Sequence, residues 1–142
     1  MTDRAFLDTN ILVYAYDKHD PEKQKKAQEL LINATLQENA VLSVQVLSEF
    51  FNAVTRHIKP PMTADEAQNI IATLSILPIE DIDLALVNRA IDTHKLYRIS
   101  YWDSLIVAAA ERAECKKILS EDLSDGQAYH GIVVSNPFSR DK

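Results

Sequence analysis

Short apolar runs alternate with amphipathic stretches along the whole chain. Arg4 to Leu7 is an apolar run closed by Asp8, and it predicts a first strand. A short helix is predicted over Asn10–Tyr16. Asp20-Pro21 reads as a helix cap followed by proline at the first helical position. Ala27, Leu30, Leu31 and Ala34 then recur at i, i+3, i+4, i+7, so the helix that follows is amphipathic. Ala40–Val44 predicts the next strand, with Ser43 placed to cap a helix whose stripe is Leu47, Phe50, Phe51, Val54 and Ile58. Lys59-Pro60-Pro61-Met62 breaks the chain, and Thr63-x-x-Glu66 is a capping-box signature. Ala67, Ile70, Ile71 and Leu74 carry another stripe. Leu77–Ile79 predicts a short strand. Leu84, Val87 and Ile91 mark a helix ending near Tyr97, and Tyr101–Ala113 is apolar nearly all round, as in a buried helix. Ile118–Ser120 and Ile132–Ser135 predict the last strands.

Strands separated by helices argue for an α/β fold with a parallel sheet covered on both faces. The 142 residues suit one domain, taken as 1–142, with no internal repeat or linker. Ligands in such folds bind at the carboxyl ends of the strands, so the residues just after each strand carry the functional question.

Composition removes most alternatives there. The only glycines are Gly126 and Gly131, both late, which excludes a glycine-rich dinucleotide loop, a phosphate-binding P-loop and a hydrolase nucleophile elbow. One cysteine, Cys115, leaves no disulfide framework or zinc knuckle. His19, His57, His94 and His130 are scattered. The net charge is −6, so nucleic acid would have to be held by local basic patches or bridging metal ions. No targeting signal or membrane-length apolar run is read, so the cytoplasm is the expected compartment. Carboxylate is what remains plentiful.

Four carboxylates sit where the sheet edge is expected. Asp8 ends the first strand in Phe6-Leu7-Asp8-Thr9-Asn10, where capping the next helix is its plainer role. Glu49 lies on a helix face with Gln45, Asn52 and Arg56; that face has the look of a solvent-facing one, and a cleft-lining face would look the same. Asp103, in Ser100-Tyr101-Trp102-Asp103-Ser104, has capping-box spacing but opens an apolar helix, where a charge needs a partner or a metal. Asp122 ends a late strand, in a segment that also reads as a solvated turn with Asp125-Gly126 as its corner. Carboxylates without thiolates and with few histidines select hard cations, Mg²⁺ or Mn²⁺. Such a site suits metal-assisted phosphoryl chemistry.

Leu7-Asp8-Thr9-Asn10, Ser48-Glu49-Phe50, Tyr101-Trp102-Asp103-Ser104 and Leu119-Ser120-Glu121-Asp122 resemble, in order and spacing, the four acidic motifs of the PIN-domain nucleases. The branch they resemble is the VapC toxins of toxin–antitoxin pairs. The resemblance covers essentially the whole chain. It implies a three-layer α/β/α sandwich with a mostly parallel central sheet and Mg²⁺- or Mn²⁺-dependent cleavage of RNA, with tRNA or another structured RNA as substrate. It also implies a homodimer and inhibition by a cognate antitoxin. It assigns Asp8, Glu49, Asp103 and Asp122 to catalysis and metal binding, with Thr9 and Asn10 as hydroxyl and amide support. The last motif reads Ser-Glu-Asp where many relatives have Thr-x-Asp or Thr-x-Asn; Asp122 fits the register better than Glu121. Lys18, Lys23, Lys25, Lys26, Arg56, Lys59 and Arg98 are candidates for holding RNA.

Two other acid-using folds fit less well. A haloacid-dehalogenase-type phosphatase needs a second Asp where Asn10 stands, and a receiver domain needs adjacent acids where Thr9 follows Asp8. The remaining alternative is a catalytically inactive PIN-like module that binds RNA or protein.

Overall fold

A computed structural model of the chain describes residues 3–139. The elements run β1 (Ala5–Leu7), α1 (Thr9–Tyr14), α2 (Pro21–Gln37), β2 (Ala40–Ser43), α3 (Val44–Arg56), α4 (Ala64–Leu74) and β3 (Ile79–Glu80). They continue with α5 (Leu84–Tyr97), α6 (Tyr101–Arg112), β4 (Lys117–Leu119), β5 (Ala128–Tyr129) and β6 (Ile132–Ser135). The strands form one sheet in the order β3-β2-β1-β4-β6-β5, parallel except for the β5–β6 pair.

This order follows from chain direction. From β1 the sheet grows one way through β2 and β3, then the chain crosses back to lay β4 on the other side of β1. Parallel crossovers are right-handed, so reversing direction moves the connecting helices to the opposite face. Helices α1–α4 therefore pack among themselves, α5 packs on α6, and the sheet is sandwiched between the two groups. The central strands are buried on both faces and carry no polar alternation; Phe6, Leu7 and Leu42 are fully inaccessible.

The helix starts are where the polar punctuation predicts them. The Asp20 carboxylate accepts from Lys23 N–H, with Pro21 in the first turn, and Ser43 Oγ accepts from Val46 N–H. Thr63 and Glu66 complete both halves of the capping box. Other boundaries shift. The first helix begins at Thr9 and ends at Tyr14, because Asp8 caps it by accepting from Thr9 N–H. The third strand is Ile79–Glu80, and β4 stops at Leu119, leaving Ser120 to turn into the site. On α3 the fully buried stripe is Val46, Phe50 and Val54, with Phe51 partly exposed. Helix α6 is buried from Ser104 to Ala110, but its first turn opens to solvent.

The strand β5 and its hairpin carry no clear sequence signal. The turn is His130-Gly131, both at positive φ (52° and 80°), the backbone that two-residue hairpins favour and Asn-Gly usually supplies. Packing holds His130 there. Its N–H donates to the Tyr97 hydroxyl, its Nε2 meets Thr93 Oγ1 at 2.8 Å, and its Nδ1 meets Arg89 Nη2 at 3.2 Å. Thr93 already donates to the Arg89 carbonyl, so the network assigns the Nε2–H tautomer to His130.

Candidate active site

The sheet reverses its order of growth between β1 and β4, and a crevice opens at the carboxyl ends of the strands at such a point. Here it is a cleft of about 600 Å³. Asp8, Glu49, Asp103 and Asp122 all line it, together with Thr9, Asn10, Gln45, Asn52 and Trp102. Each acid arrives on a different element: Asp8 from the end of β1, Glu49 from α3, Asp103 from the first turn of α6 and Asp122 from the turn after β4.

Asp8 is the deepest, only 6% exposed. Its Oδ1 accepts from Thr9 N–H at 2.7 Å and its Oδ2 from the Ser120 hydroxyl at 2.6 Å. Burial pushes its carboxyl up from 3.8 to about 6. The Ser120 and Thr9 hydrogen bonds oppose that rise, and the charges of Asp122 and Glu49 add to it. Asp103 is also raised, mainly by desolvation, with the Asp122 charge reinforcing and the Ser100 hydroxyl opposing. Ser100 caps α6 by accepting from Asp103 N–H at 3.1 Å. The capping reading and the cleft reading of Asp103 thus hold together, its backbone serving the helix and its carboxylate the cleft.

Glu49 is exposed and lines the cleft, so the polar face of α3 is the wall of the crevice. Its Oε1 accepts from the Thr9 hydroxyl at 2.7 Å. Asn10 accepts through Oδ1 from Glu121 N–H at 3.2 Å, fixing the start of the last acidic turn. Glu121 itself points elsewhere. Its carboxylate takes the Tyr14 hydroxyl and Lys23 Nζ, both at 2.5 Å; Tyr14 lines the cleft, but Glu121 and Lys23 do not.

Ser120 is fully buried and organises the centre. While donating to Asp8 it accepts from Asp122 N–H and Leu123 N–H at 3.1 and 3.2 Å. The sequence reading gave it no role of its own; its signals were a hydroxyl at the end of an apolar strand and its place at the head of the last acidic motif. Gln45 was likewise read as part of an outward polar face, yet it is only 6% exposed. Its Nε2 donates to the Trp102 carbonyl at 3.1 Å, which ties α3 to α6.

None of the described lysines or arginines lines this cleft. Lys23, a candidate for holding RNA, is engaged by Glu121 and lies over the Tyr14 ring. Lys18 and Lys59 line a separate hollow beside Pro60.

The donor set suits a hard divalent cation. Four carboxylates with no thiolate or imidazole are oxygen donors only, and the two raised carboxyls are relieved by a cation as by a proton. Among the described residues, however, no three acidic, histidine or cysteine side chains stand close enough to form a ready-made ligand group. Mg²⁺ accommodates that arrangement, because it retains several waters and takes only one or two carboxylates directly.

Residues 5–124 match the family model described as PIN domain. The chain belongs to the PIN-domain family. All four cleft carboxylates fall within the matched stretch, and the β5–β6 hairpin follows it. Solved structures share the PIN fold. The toxin VapC20 from Mycobacterium tuberculosis, described as cleaving the sarcin-ricin loop, superposes with a TM-score of 0.64 at 19% identity, over 83% of this chain and 91% of that one. A toxin–antitoxin complex from Klebsiella pneumoniae gives 0.68 at 18% identity, covering 94% and 98%. DNA-bound VapBC from Salmonella typhimurium gives 0.67 at 15% identity, covering 96% and 99%. No curated protein matches the sequence at a significant level. Among the described residues of the PIN domain no helix is long and apolar enough to cross a membrane.

Proposed function

We propose that this PIN domain is a metal-dependent endoribonuclease and the toxin of a VapC-type toxin–antitoxin pair. The reading rests above all on the convergence of Asp8, Glu49, Asp103 and Asp122 on one cleft at the sheet's switch point. The fold shared with toxins of such pairs supports it. A single nuclease domain then occupies the whole chain.

Asp8, Asp103, Glu49 and Asp122 would hold Mg²⁺ or Mn²⁺. When bound, the ion supplies a Lewis acid against the scissile phosphate and lowers the pKa of an attacking water. The protein's own groups do the positioning. Ser120 and the Thr9 N–H fix both oxygens of Asp8, so that carboxylate cannot rotate. Thr9 orients Glu49 toward the same cleft. Asn10 and Ser120 together set the turn that presents Asp122. None of the described lysines or arginines lies on the cleft walls, so this acidic surface would need a bound cation to tolerate a phosphate.

The partners follow from the same surface. A cognate antitoxin is proposed to offer an arginine to the carboxylates, a pairing the guanidinium makes bidentately. A homodimer is proposed as well. On the first helix Ile11 and Leu12 are buried, whereas Leu84 and Leu96 present exposed apolar side chains.

The inactive-module alternative keeps one observation in its favour, the lack of a ready-made ligand group. The purified chain tests both. Cleavage of RNA with Mn²⁺ or Mg²⁺ that stops with chelator, and Mn²⁺ binding by calorimetry, are the expected results. Chelator-insensitive cleavage, or no Mn²⁺ binding at all, overturns the proposal.

A further inference from the structure

Two polar atoms of the cleft have no partner among the described residues: Gln45 Oε1, an acceptor, and Asn10 Nδ2, a donor. Both are buried and both residues line the cleft. An unmatched buried polar atom is unfavourable, because it has given up water without gaining a partner. The positioning of the four acids does not use either atom.

Beside them stands Trp102. The residue is 62% exposed, in the open first turn of a helix that is otherwise largely buried, and it lines the same cleft. The Tyr101 ring meets it edge-on at 5.1 Å, which steadies the indole. Gln45 donates to the Trp102 carbonyl, so amide and indole are held relative to each other.

What could complete this set is constrained by chemistry. Phosphate oxygens at neutral pH only accept, so they leave Gln45 Oε1 unmatched. A ribose hydroxyl donates, but has no flat face for an indole. A nucleobase has a π-face and an edge carrying donors and acceptors together. Gln45 and Glu49 lie one turn apart on α3, i and i+4, so their side chains are neighbours on the same helix face. A group bound at Gln45 therefore sits next to the acidic cluster.

We propose that the cleft contains a nucleobase subsite, in which a base stacks on Trp102 and its edge hydrogen-bonds to the Gln45 amide, with Asn10 Nδ2 as a second donor. The subsite deepens the nuclease reading and rests on it for the identity of the polymer. It makes one nucleotide next to the scissile phosphate a determinant of specificity.

Trp102 is the chain's single tryptophan, so its fluorescence reports the subsite directly. The probe is a short, cleavage-resistant phosphorothioate oligoribonucleotide in Mg²⁺, compared with an abasic oligomer of equal length and charge. The expected result is quenching by the base-bearing oligomer only. In anisotropy with a labelled oligomer, Trp102→Ala is expected to weaken binding roughly ten- to a hundredfold, the range of one lost stacking contact. Trp102→Phe restores most of it. Gln45→Leu flattens the preference among A, C, G and U oligomers. In cleavage assays Trp102→Ala raises KM more than it lowers kcat. Equal quenching by the abasic oligomer, or binding by Trp102→Ala within about twofold of the parent, overturns the subsite. RNA cleavage with base-independent quenching sinks the subsite and leaves the nuclease reading standing. Base-dependent quenching without cleavage does the reverse.

Discussion

The Ser120 hydroxyl donates to Asp8 Oδ2 at 2.6 Å, although the two residues stand 112 positions apart in the chain. The contact spans neighbouring strands β1 and β4, whose ends are also joined by Asp8 N–H donating to the Leu119 carbonyl at 3.0 Å. Ser120→Ala leaves a buried carboxylate oxygen and two N–H groups without that hydroxyl. The expected destabilisation is about 1–3 kcal/mol in urea unfolding at pH 7. A difference under about 0.5 kcal/mol would show that Ser120 is not organising the site.

The pH dependence of stability has a definite sign at Asp8. Its folded value, about 6, lies above the ordinary 3.8 of an unfolded chain. The folded state therefore binds the proton more tightly, and stability falls as pH rises from about 4 through 6. The full difference corresponds to roughly 3 kcal/mol, reached above that window. Asp8→Asn removes this slope. Urea titrations in chelator should show the variant gaining on the parent between pH 4 and 7.5, with Mn²⁺ stabilising only the parent appreciably. A pH-independent gap between them would contradict this.

At Asp103 the two candidate roles separate cleanly. Asn keeps the helix start intact, since the cap bond uses the backbone N–H. Asp103→Asn is therefore expected to leave the thermal midpoint unchanged or higher in chelator, and to lower metal-dependent RNA cleavage by orders of magnitude. Near-parental cleavage would remove Asp103 from the catalytic set.

Glu121 and Asp122 are adjacent but face different neighbours. Glu121→Gln weakens the tie to Lys23 and Tyr14, partly exposed groups, so a loss of about 1 kcal/mol or less is expected. Its cleavage rate should stay within a few-fold of the parent, roughly the scatter of a surface change. Asp122→Asn should abolish cleavage. Rates measured side by side decide which acid serves the site.

Much of this was legible because local chemistry and fold agree. The caps at Asp20, Ser43 and Thr63 are short-range hydrogen bonds, and a sequence displays them directly. The four acids were legible by their places, Asp8, Glu49 and Asp122 following predicted strands and Asp103 opening an apolar helix, even though each had an ordinary alternative. Ser120 and Gln45 were not, because their partners Asp8 and Trp102 lie far away in sequence and only the topology brings them together. Strand β5 was missed for a related reason. His130 takes a left-handed backbone that Tyr97, Thr93 and Arg89 stabilise from another element, where a local signal would have been Asn.

The strand order has a consequence for how the protein is made. Asp8 is synthesised well before Ser120 and Asp122, and β4 must slot in beside β1 before the cleft has its fourth acid. A nascent chain that has reached the end of α6 carries three of the acids but lacks the hydroxyl that orients Asp8. A chain terminated early is thus defective in its centre rather than merely shorter. The four-acid cleft exists only once β4 has been made and has paired with β1.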